Sequence, residues 1–415
     1  MKIAIVSHSD GKSGGVGAAY RLHKTFRSCG QDSVMLVALK VRGDDSVDGA
    51  SSFGGMSWAK VRLRLDDLPL KLCSLPVGKV SPAWVPENTA ARVNACVPDV
   101  VNLHWVNHGY LRPESLRKIH APIVWTFHDM WAFAGAEHLV GDSTRYIDGY
   151  LPSNRMEQES GWDINRWVWQ RKRRAWRDMK SLTGIAPSTW MASCAKRSML
   201  FRDRRIEVIP NGVDVARFHP IDRRVARDVL GLSQDKKLIL CGAMSARVDK
   251  NKGFDLFKEA IASLQGQLSG KDAEIVVFGA NEPRTGSEFA IKAHYLGQLN
   301  DEISIALVYA AADVFVIPSR QENLPTTVME SLACGTPVVG FDIGGTSDMV
   351  THGETGYLAR PYDTAELAAG IKAVLCGDAA GLRQRARDAV LNNFTLQQQV
   401  ERYLKLFDDI IQKRG

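Results

Sequence analysis

The stretch Ser319–Val339, SRQENLPTTVMESLACGTPVV, decides how this chain is read. Pro325 stands where a first helical turn begins, a place at which its missing N–H costs nothing. Gly335 supplies a stop, and Pro337 prevents continuation. Val328, Met329, Leu332 and Ala333 between them make one broad apolar face, so the spacing predicts a helix over Pro325–Cys334. Val314–Ile317 ahead of it and Pro337–Phe341 after it read as short buried strands. The helix therefore starts at the carboxyl end of a strand, where unpaired N–H groups and the helix dipole attract anions. A diphosphate fits such a place. Glu322 lies just before the helix and Glu330 within it. At ~1.5 Å of rise per residue they are roughly 12 Å apart, too far to share a proton or one metal ion. That spacing suits the two ends of one long ligand. Glu330 can take ribose hydroxyls, as the acidic residue of dinucleotide folds does, and Glu322 sugar hydroxyls.

The same strand-helix alternation extends in both directions. Leu238–Gly242, Glu274–Phe278 and Pro337–Phe341 read as strands, with helices over Phe254–Leu268 and Ile303–Ala312. Nearer the start, Ile3–Val6 is a strand, Ser13–Gly17 a glycine turn and Ala18–Arg27 a helix. Further strands follow at Ser33–Leu39, Val100–Leu103, Ile123–Phe127 and Gly184–Ala186. Such alternation predicts parallel sheets covered by helices. Proline and glycine at Pro210 and Gly212 mark a boundary between two series. The expected fold class is α/β, two Rossmann-like doubly wound domains. Residues 1–208 form the first, residues 209–394 the second, and residues 395–415 a closing helical segment. Ligands of such sheets bind at strand carboxyl ends, so a cleft between the domains is the expected site. Val41–Pro98 is irregular, with Trp58, Val61 and Leu65 at helical spacing, and reads as an insertion.

A second charged group supports the anion site. In Gly242–Phe254, GAMSARVDKNKGF, Arg247 and Lys252 follow a strand. Two cations there can neutralise a diphosphate and stabilise a leaving group as its charge develops. His128 follows the strand Ile123–Phe127, again at a carboxyl end, with Asp129 beside it. Asp129 can orient a hydroxyl or cap a following helix.

Taken together, these motifs resemble glycosyltransferase family 4. Glu322 and Glu330 fit its E-x7-E motif, and Arg247 and Lys252 its R-x4-K-G donor motif. VIPNGVD (Val208–Asp214), HYLGQ (His294–Gln298) and ADVFVIPS (Ala312–Ser319) follow the family in order and spacing. The family's usual residues after the first glutamate include a glycine; here Asn323, Leu324 and Pro325 replace it. The segment HDMWAFAG suggests a bacterial polysaccharide-type subgroup. Many members carry cysteines after it, where this chain has Glu137, His138 and Asp142.

The resemblance implies the GT-B fold, with the last helix returning to the first domain, and sugar transfer with retention of configuration. It implies Gly15, Arg247, Lys252, Glu322, Asn323, Leu324, Pro325, Thr326 and Glu330 as donor-binding residues. His128, Glu322, Arg247 and Lys252 carry catalysis, His128 near the reacting sugar. The expected donor is a UDP- or GDP-sugar, and the acceptor a saccharide or lipid-linked saccharide in surface polysaccharide assembly. No cofactor and no metal are expected: Asp44-Asp45 and Asp66-Asp67, in the irregular insertion, are no persuasive Asp-x-Asp counterpart.

Composition narrows the alternatives. Of 415 residues, 45% are hydrophobic and 24% charged, with a net charge of +7, a mildly basic balance that suits an anionic ligand or membrane surface. No helix-turn-helix pattern, zinc spacing or RNA-binding signature points to nucleic acid. Seven scattered cysteines without C-x-x-C spacing point to a reducing compartment, and the short apolar run at Ile3–Val6 is no signal peptide. A cytoplasmic protein, at the inner face of the plasma membrane if it meets lipid, is expected. Arg166–Lys180 holds seven basic residues and one acidic one, with Trp162, Trp169 and Trp176 seven apart. That is either a membrane-binding face or a core tryptophan seam with a solvated basic side. A nucleotide-sugar epimerase and a noncatalytic sugar-nucleotide binding module are the rival functions. A dinucleotide oxidoreductase fits poorly, because Ser7–Gly17 lacks G-x-G-x-x-G.

Overall fold

The computed structural model describes residues 1–12, 14–50, 53–75, 78–179, 181–242, 249–264, 273–283 and 286–413. The chain divides into two compact units. Met1–Pro210 with Gln399–Gly415 form the first, and Asn211–Gln398 the second.

In unit 1, seven strands run parallel: β1 (Lys2–Ser9), β2 (Asp32–Leu39), β3 (Val47–Ala50), β4 (Val100–Leu103), β5 (Ile123–Thr126), β6 (Leu182–Ala186) and β7 (Ile206–Val208). Their order is β3-β2-β1-β4-β5-β6-β7. The sequence therefore turns back at the junction of β1 and β4, the switch point where such sheets open a crevice. Helix α1 (Gly14–Ser28) follows β1, and α2 (Ile164–Trp176) precedes β6.

Unit 2 repeats the plan. Its strands are β8 (Lys237–Gly242), β9 (Ala273–Phe278), β10 (Ala293–Tyr295), β11 (Val314–Ile317), β12 (Val338–Phe341) and β13 (Gly356–Ala359). They are parallel in the order β10-β9-β8-β11-β12-β13, with the switch between β8 and β11. Helices α3 (Phe254–Leu264), α4 (Glu302–Ala311) and α5 (Thr326–Ala333) flank it. The chain then ends on α6 (Leu396–Gln412).

Alternation along each central strand builds two apolar layers. Ile3 and Ile5 of β1 pack with Ala19, Leu22 and Phe26 of α1 and with Val400, Tyr403 and Phe407 of α6. Ala4 and Val6 enter the opposite layer with Leu103, Trp125, Phe127 and Trp176. On β11, Val314 and Val316 meet Phe254, Phe257 and Ile261 of α3, while Phe315 and Ile317 meet Tyr309, Val328, Met329 and Leu332. Strands covered on both faces read as continuous apolar runs.

Four strands of these two sheets escape the sequence reading: β3, β7, β10 and β13. All four are sheet edges of three or four residues, and each is only partly buried. The expected glycine turn also moves: Gly14 and Gly15 are the first residues of α1. Pro325 caps α5 from outside, with φ −67° and ψ 117°, rather than sitting in its first turn. The insertion does hold a helix over Phe53–Asp66, but Trp58 is 60% exposed and Val61 42%.

Two of the three tryptophans resolve toward the core, while Trp162 is exposed. Trp169 and Trp176 are buried, and Trp176 donates from Nε1 to the Pro113 carbonyl at 2.9 Å. Lys172 is buried as well, its ammonium 3.6 Å from the Trp131 ring centroid and bonded to the carbonyls of Trp131, Ala134 and Gly135. Of the basic residues of this stretch, Arg173, Arg174 and Arg177 are exposed among the described residues. After the HDMWAFAG segment, Arg145 is buried and bridges Glu159 at 2.9 Å and Asp163 at 2.6 Å.

Truncating Phe407 to alanine is expected to cost unit 1 about 3–5 kcal/mol, the usual range for a buried phenylalanine. Urea unfolding followed by unit-specific probes should show the unit 1 transition shifted and that of unit 2 unchanged.

Candidate active site

The motif residues of unit 2 gather at the β8/β11 switch point. Beyond β11 the chain passes Pro318 and Ser319 to Glu322. The Glu322 carboxylate accepts from the Lys252 ammonium at 2.6 Å and from the Ser319 hydroxyl at 2.9 Å, both at Oε1. Both charged side chains are largely sheltered, Glu322 at 14% and Lys252 at 26% exposure. Lys252 lies in a single 3-10 turn, Lys250–Lys252, capped by Asp249 and closed by Gly253 in the left-handed region at φ +63°. A Cβ on Gly253 would fall 1.9 Å from the Pro318 carbonyl oxygen, so only glycine lets this turn meet the β11 loop. Two further bonds tie the loops: Arg320 N to the Asn251 carbonyl at 2.7 Å, and Asn251 Nδ2 to the Gln321 carbonyl at 2.7 Å.

Gly344 follows β12 at φ +55°, and a Cβ there would lie 1.8 Å from the Glu322 carbonyl oxygen. That oxygen accepts from Gly345 N at 3.3 Å. The glycine pair thus supports the backbone of Glu322.

Helix α5 begins with no side-chain cap, the arrangement that leaves its first N–H groups for an anion. Its far face is fully buried at Val328, Met329 and Leu332, which at about 1.5–3 kcal/mol per side chain anchors it firmly. Glu330 remains partly exposed and accepts from the buried Tyr309 hydroxyl at 3.4 Å. Leu324 is buried in the core, so any donor contact at this position falls to its backbone. Asn323 and Thr326 are partly exposed, and Pro325 is buried. Arg247 lies outside the described residues. His294 of the HYLGQ stretch pairs with Glu274 at 2.8 Å, a structural use of that histidine.

Unit 1 brings Gly15 and His128 together. A Cβ on Gly15 would sit 2.6 Å from His128 Cγ, so the imidazole lies flat against the first turn of α1. His104, on the loop leaving β4, meets His128 from the other side, with rings 5.1 Å apart and Nδ1 2.8 Å from His128 Nε2. The sequence reading passed over His104 and Asn102. Its available signal was the pair of polar residues two apart in an otherwise apolar strand, VVNLHW.

Asp129 caps no helix. It accepts from Trp131 N, from Trp105 Nε1 and from His138 Nδ1, at 2.9, 2.9 and 2.6 Å, and no helix follows it. His8, Trp105 and His108 pack edge to face beside it. Burial pushes His8 and His128 down to about 4 and His108 to about 3. Among the described residues no group of three or more His, Cys, Asp or Glu side chains is placed to hold a metal ion.

These histidines fix a pH dependence. They are neutral when folded and titrate near the ordinary value of 6.5 when unfolded. The unfolded state then binds more protons, so stability is complete above that value and falls as pH drops toward 4. Calorimetry at pH 7 and pH 5 should show unit 1 melting lower at pH 5. Gly15→Ala should displace the His128 ring and destabilise unit 1 by roughly 1–3 kcal/mol, as overpacking does. A histidine side-chain NMR spectrum would report the shift.

Comparison with known proteins agrees with this arrangement. The family described as Glycosyl transferases group 1 matches residues 235–376, and Glycosyltransferase Family 4 matches residues 51–217. A D-inositol 3-phosphate glycosyltransferase of Actinosynnema mirum is 34% identical over 200 residues, 43% of this chain and 47% of that protein. A protein of the same name from Nocardia farcinica is 27% identical over 339 residues, 78% of this chain and 67% of its own. The chain thus spans about half the length of the first relative and two thirds of the second. Among solved structures, sucrose-phosphate synthase from Thermosynechococcus elongatus superposes with a TM-score of 0.70 over the whole of both chains at 17% identity. Anabaena HepE, solved with UDP and glucose, gives 0.65 at 16% identity, covering 99% of this chain and 100% of its own. With both switch-point sites in place and two family descriptions matching in turn, the chain belongs to the family 4 glycosyltransferases and has their GT-B fold.

Proposed function

We propose that the protein transfers a sugar from a nucleotide-diphosphate donor to a saccharide or lipid-linked saccharide acceptor, with retention of configuration, in bacterial surface polysaccharide assembly. The observation that carries this reading is the Lys252–Glu322 pair, 2.6 Å apart at the β8/β11 switch point beside the uncapped start of α5. An ammonium has three donors, so Lys252 can hold Glu322 and still offer hydrogens to a phosphate oxygen. Ser319 and the Gly253 turn hold the pair in place, which lowers the cost of ordering it during reaction.

In this reading Arg247, Lys252 and the α5 N-terminus stabilise the departing diphosphate. Glu322 holds sugar hydroxyls and Glu330 the ribose. Gly15 and the backbone of Asn323, Leu324, Pro325 and Thr326 complete the donor contacts. His128 contacts the donor sugar. Attack and departure take place on one face of the sugar, without a covalent enzyme intermediate and without a metal. The UDP and glucose in the HepE structure make a UDP-sugar the first donor to try, with a GDP-sugar next.

No helix among the described residues is long and apolar enough to cross a membrane. Contact with an anionic membrane, if the acceptor is lipid-linked, falls to the exposed apolar side chains Trp58, Leu68, Leu72 and Trp162, with Lys60, Arg64 and Lys71 among them in sequence. Cosedimentation with anionic liposomes no stronger than with neutral ones would remove that part.

The central test is a thermal-shift series with UDP, GDP, ADP and their sugars, on wild type, Arg247→Ala and Lys252→Ala. A ligand at about 100 times its dissociation constant adds about 2.7 kcal/mol. One nucleotide should stabilise wild type and lose most of that effect in both variants. Proton NMR of the product should show the donor's anomeric configuration; an inverted product would end the retaining assignment. Donor consumed without acceptor, yielding an altered sugar nucleotide, would favour an epimerase. Binding without turnover would favour a noncatalytic module.

A further inference from the structure

A chain of hydrogen bonds inside unit 1 determines which nitrogen of His128 carries its proton. It starts at Asn102, fully buried on β4. Asn102 Nδ2 lies 3.1 Å from the Val124 carbonyl oxygen and 3.1 Å from the Thr126 hydroxyl. A backbone carbonyl only accepts, so the nitrogen of the amide must face it, and Oδ1 is left pointing at His104. His104 Nε2 is 2.8 Å from that Oδ1 and must therefore carry a hydrogen. His104 is 2% exposed, and burial with His128 alongside holds it well below the ordinary histidine range, so it is neutral. A neutral imidazole with a proton on Nε2 has a bare Nδ1. That nitrogen lies 2.8 Å from His128 Nε2, which must donate to it.

We infer that Asn102 and His104 are positioning residues that lock His128 as its Nε2–H tautomer, with Nδ1 an acceptor only. Any group that bonds Nδ1 has to bring the hydrogen. A hydroxyl does so; a carboxylate or a carbonyl oxygen does not. The tautomer stands independently of the proposed transfer reaction, whereas its effect on turnover rests on that reading. The same network reaches α6, where Tyr403 Oη is 2.9 Å from the Thr126 hydroxyl. The lock itself is set one step earlier, by the Val124 carbonyl, so Tyr403 is its natural control.

Long-range proton–nitrogen-15 NMR of the full-length protein at neutral pH reads the tautomers directly. His104 and His128 should both show a protonated Nε2 and a bare Nδ1. Tyr403→Phe leaves the acceptor for His104 in place and should keep this pattern. Asn102→Leu removes the acceptor and should give mixed tautomers at His128. A wild-type His128 protonated at Nδ1, or an unchanged pattern in Asn102→Leu, would overturn the inference. Should Asn102→Leu fail to fold, the wild-type spectrum still decides. With an active donor, Asn102→Leu should lower kcat by about tenfold with little change in donor KM, the mark of an interaction made in the transition state. Absence of turnover in wild type would count against the transfer reading while leaving the spectra intact.

Discussion

A parallel strand covered by helices on both faces has no side left for polar chemistry. Six interior strands of this protein meet that condition: β4, β5 and β6 in unit 1 and β9, β11 and β12 in unit 2 are buried at each position. Polar groups that act on a ligand are therefore displaced to the carboxyl ends, and the strand orders concentrate them at two switch points. In unit 2 the crevice gathers Lys252, Glu322 and the start of α5. In unit 1 it gathers the α1 turn, His104 and His128. Glycine is required where the loops close on each other, at Gly253 and Gly344 in one unit and Gly15 in the other.

What the sequence made legible follows the same division. Central strands are long apolar runs between turn residues, and their reading needs only periodicity. The edge strands β3, β7, β10 and β13 have one neighbour, few residues and mixed polarity, so nothing local separates them from loops. The loop and helix that carry Glu322 and Glu330 were legible because their motif is contiguous. The partners of His128 were not, since Asn102 and His104 come from another strand, 26 and 24 residues earlier, and meet it only through sheet pairing.

The stretch around Arg173 offered two readings that a pattern alone does not separate. Tryptophans seven apart among arginines suit a membrane face, yet Trp169 and Trp176 are buried and Lys172 lies against Trp131. Periodicity reports that one helical face is apolar, and gives no sign of what covers it. Here the cover is the HDMWAFAG segment, whose carbonyls hold the Lys172 ammonium. That contact also steadies the loop that carries Asp129.

The return of α6 to the first unit has a consequence for the order of events at birth. Unit 2 is one continuous stretch, Asn211–Gln398, while unit 1 is split by it. Val400, Tyr403 and Phe407, made only after the whole of unit 2, close the layer begun by Ile3 and Ile5. During synthesis the first strand therefore waits, one apolar layer only half covered by α1, while residues 211–398 are made and can fold around their own core. A cell making this protein holds a half-covered sheet throughout that interval, the kind of surface that chaperones engage.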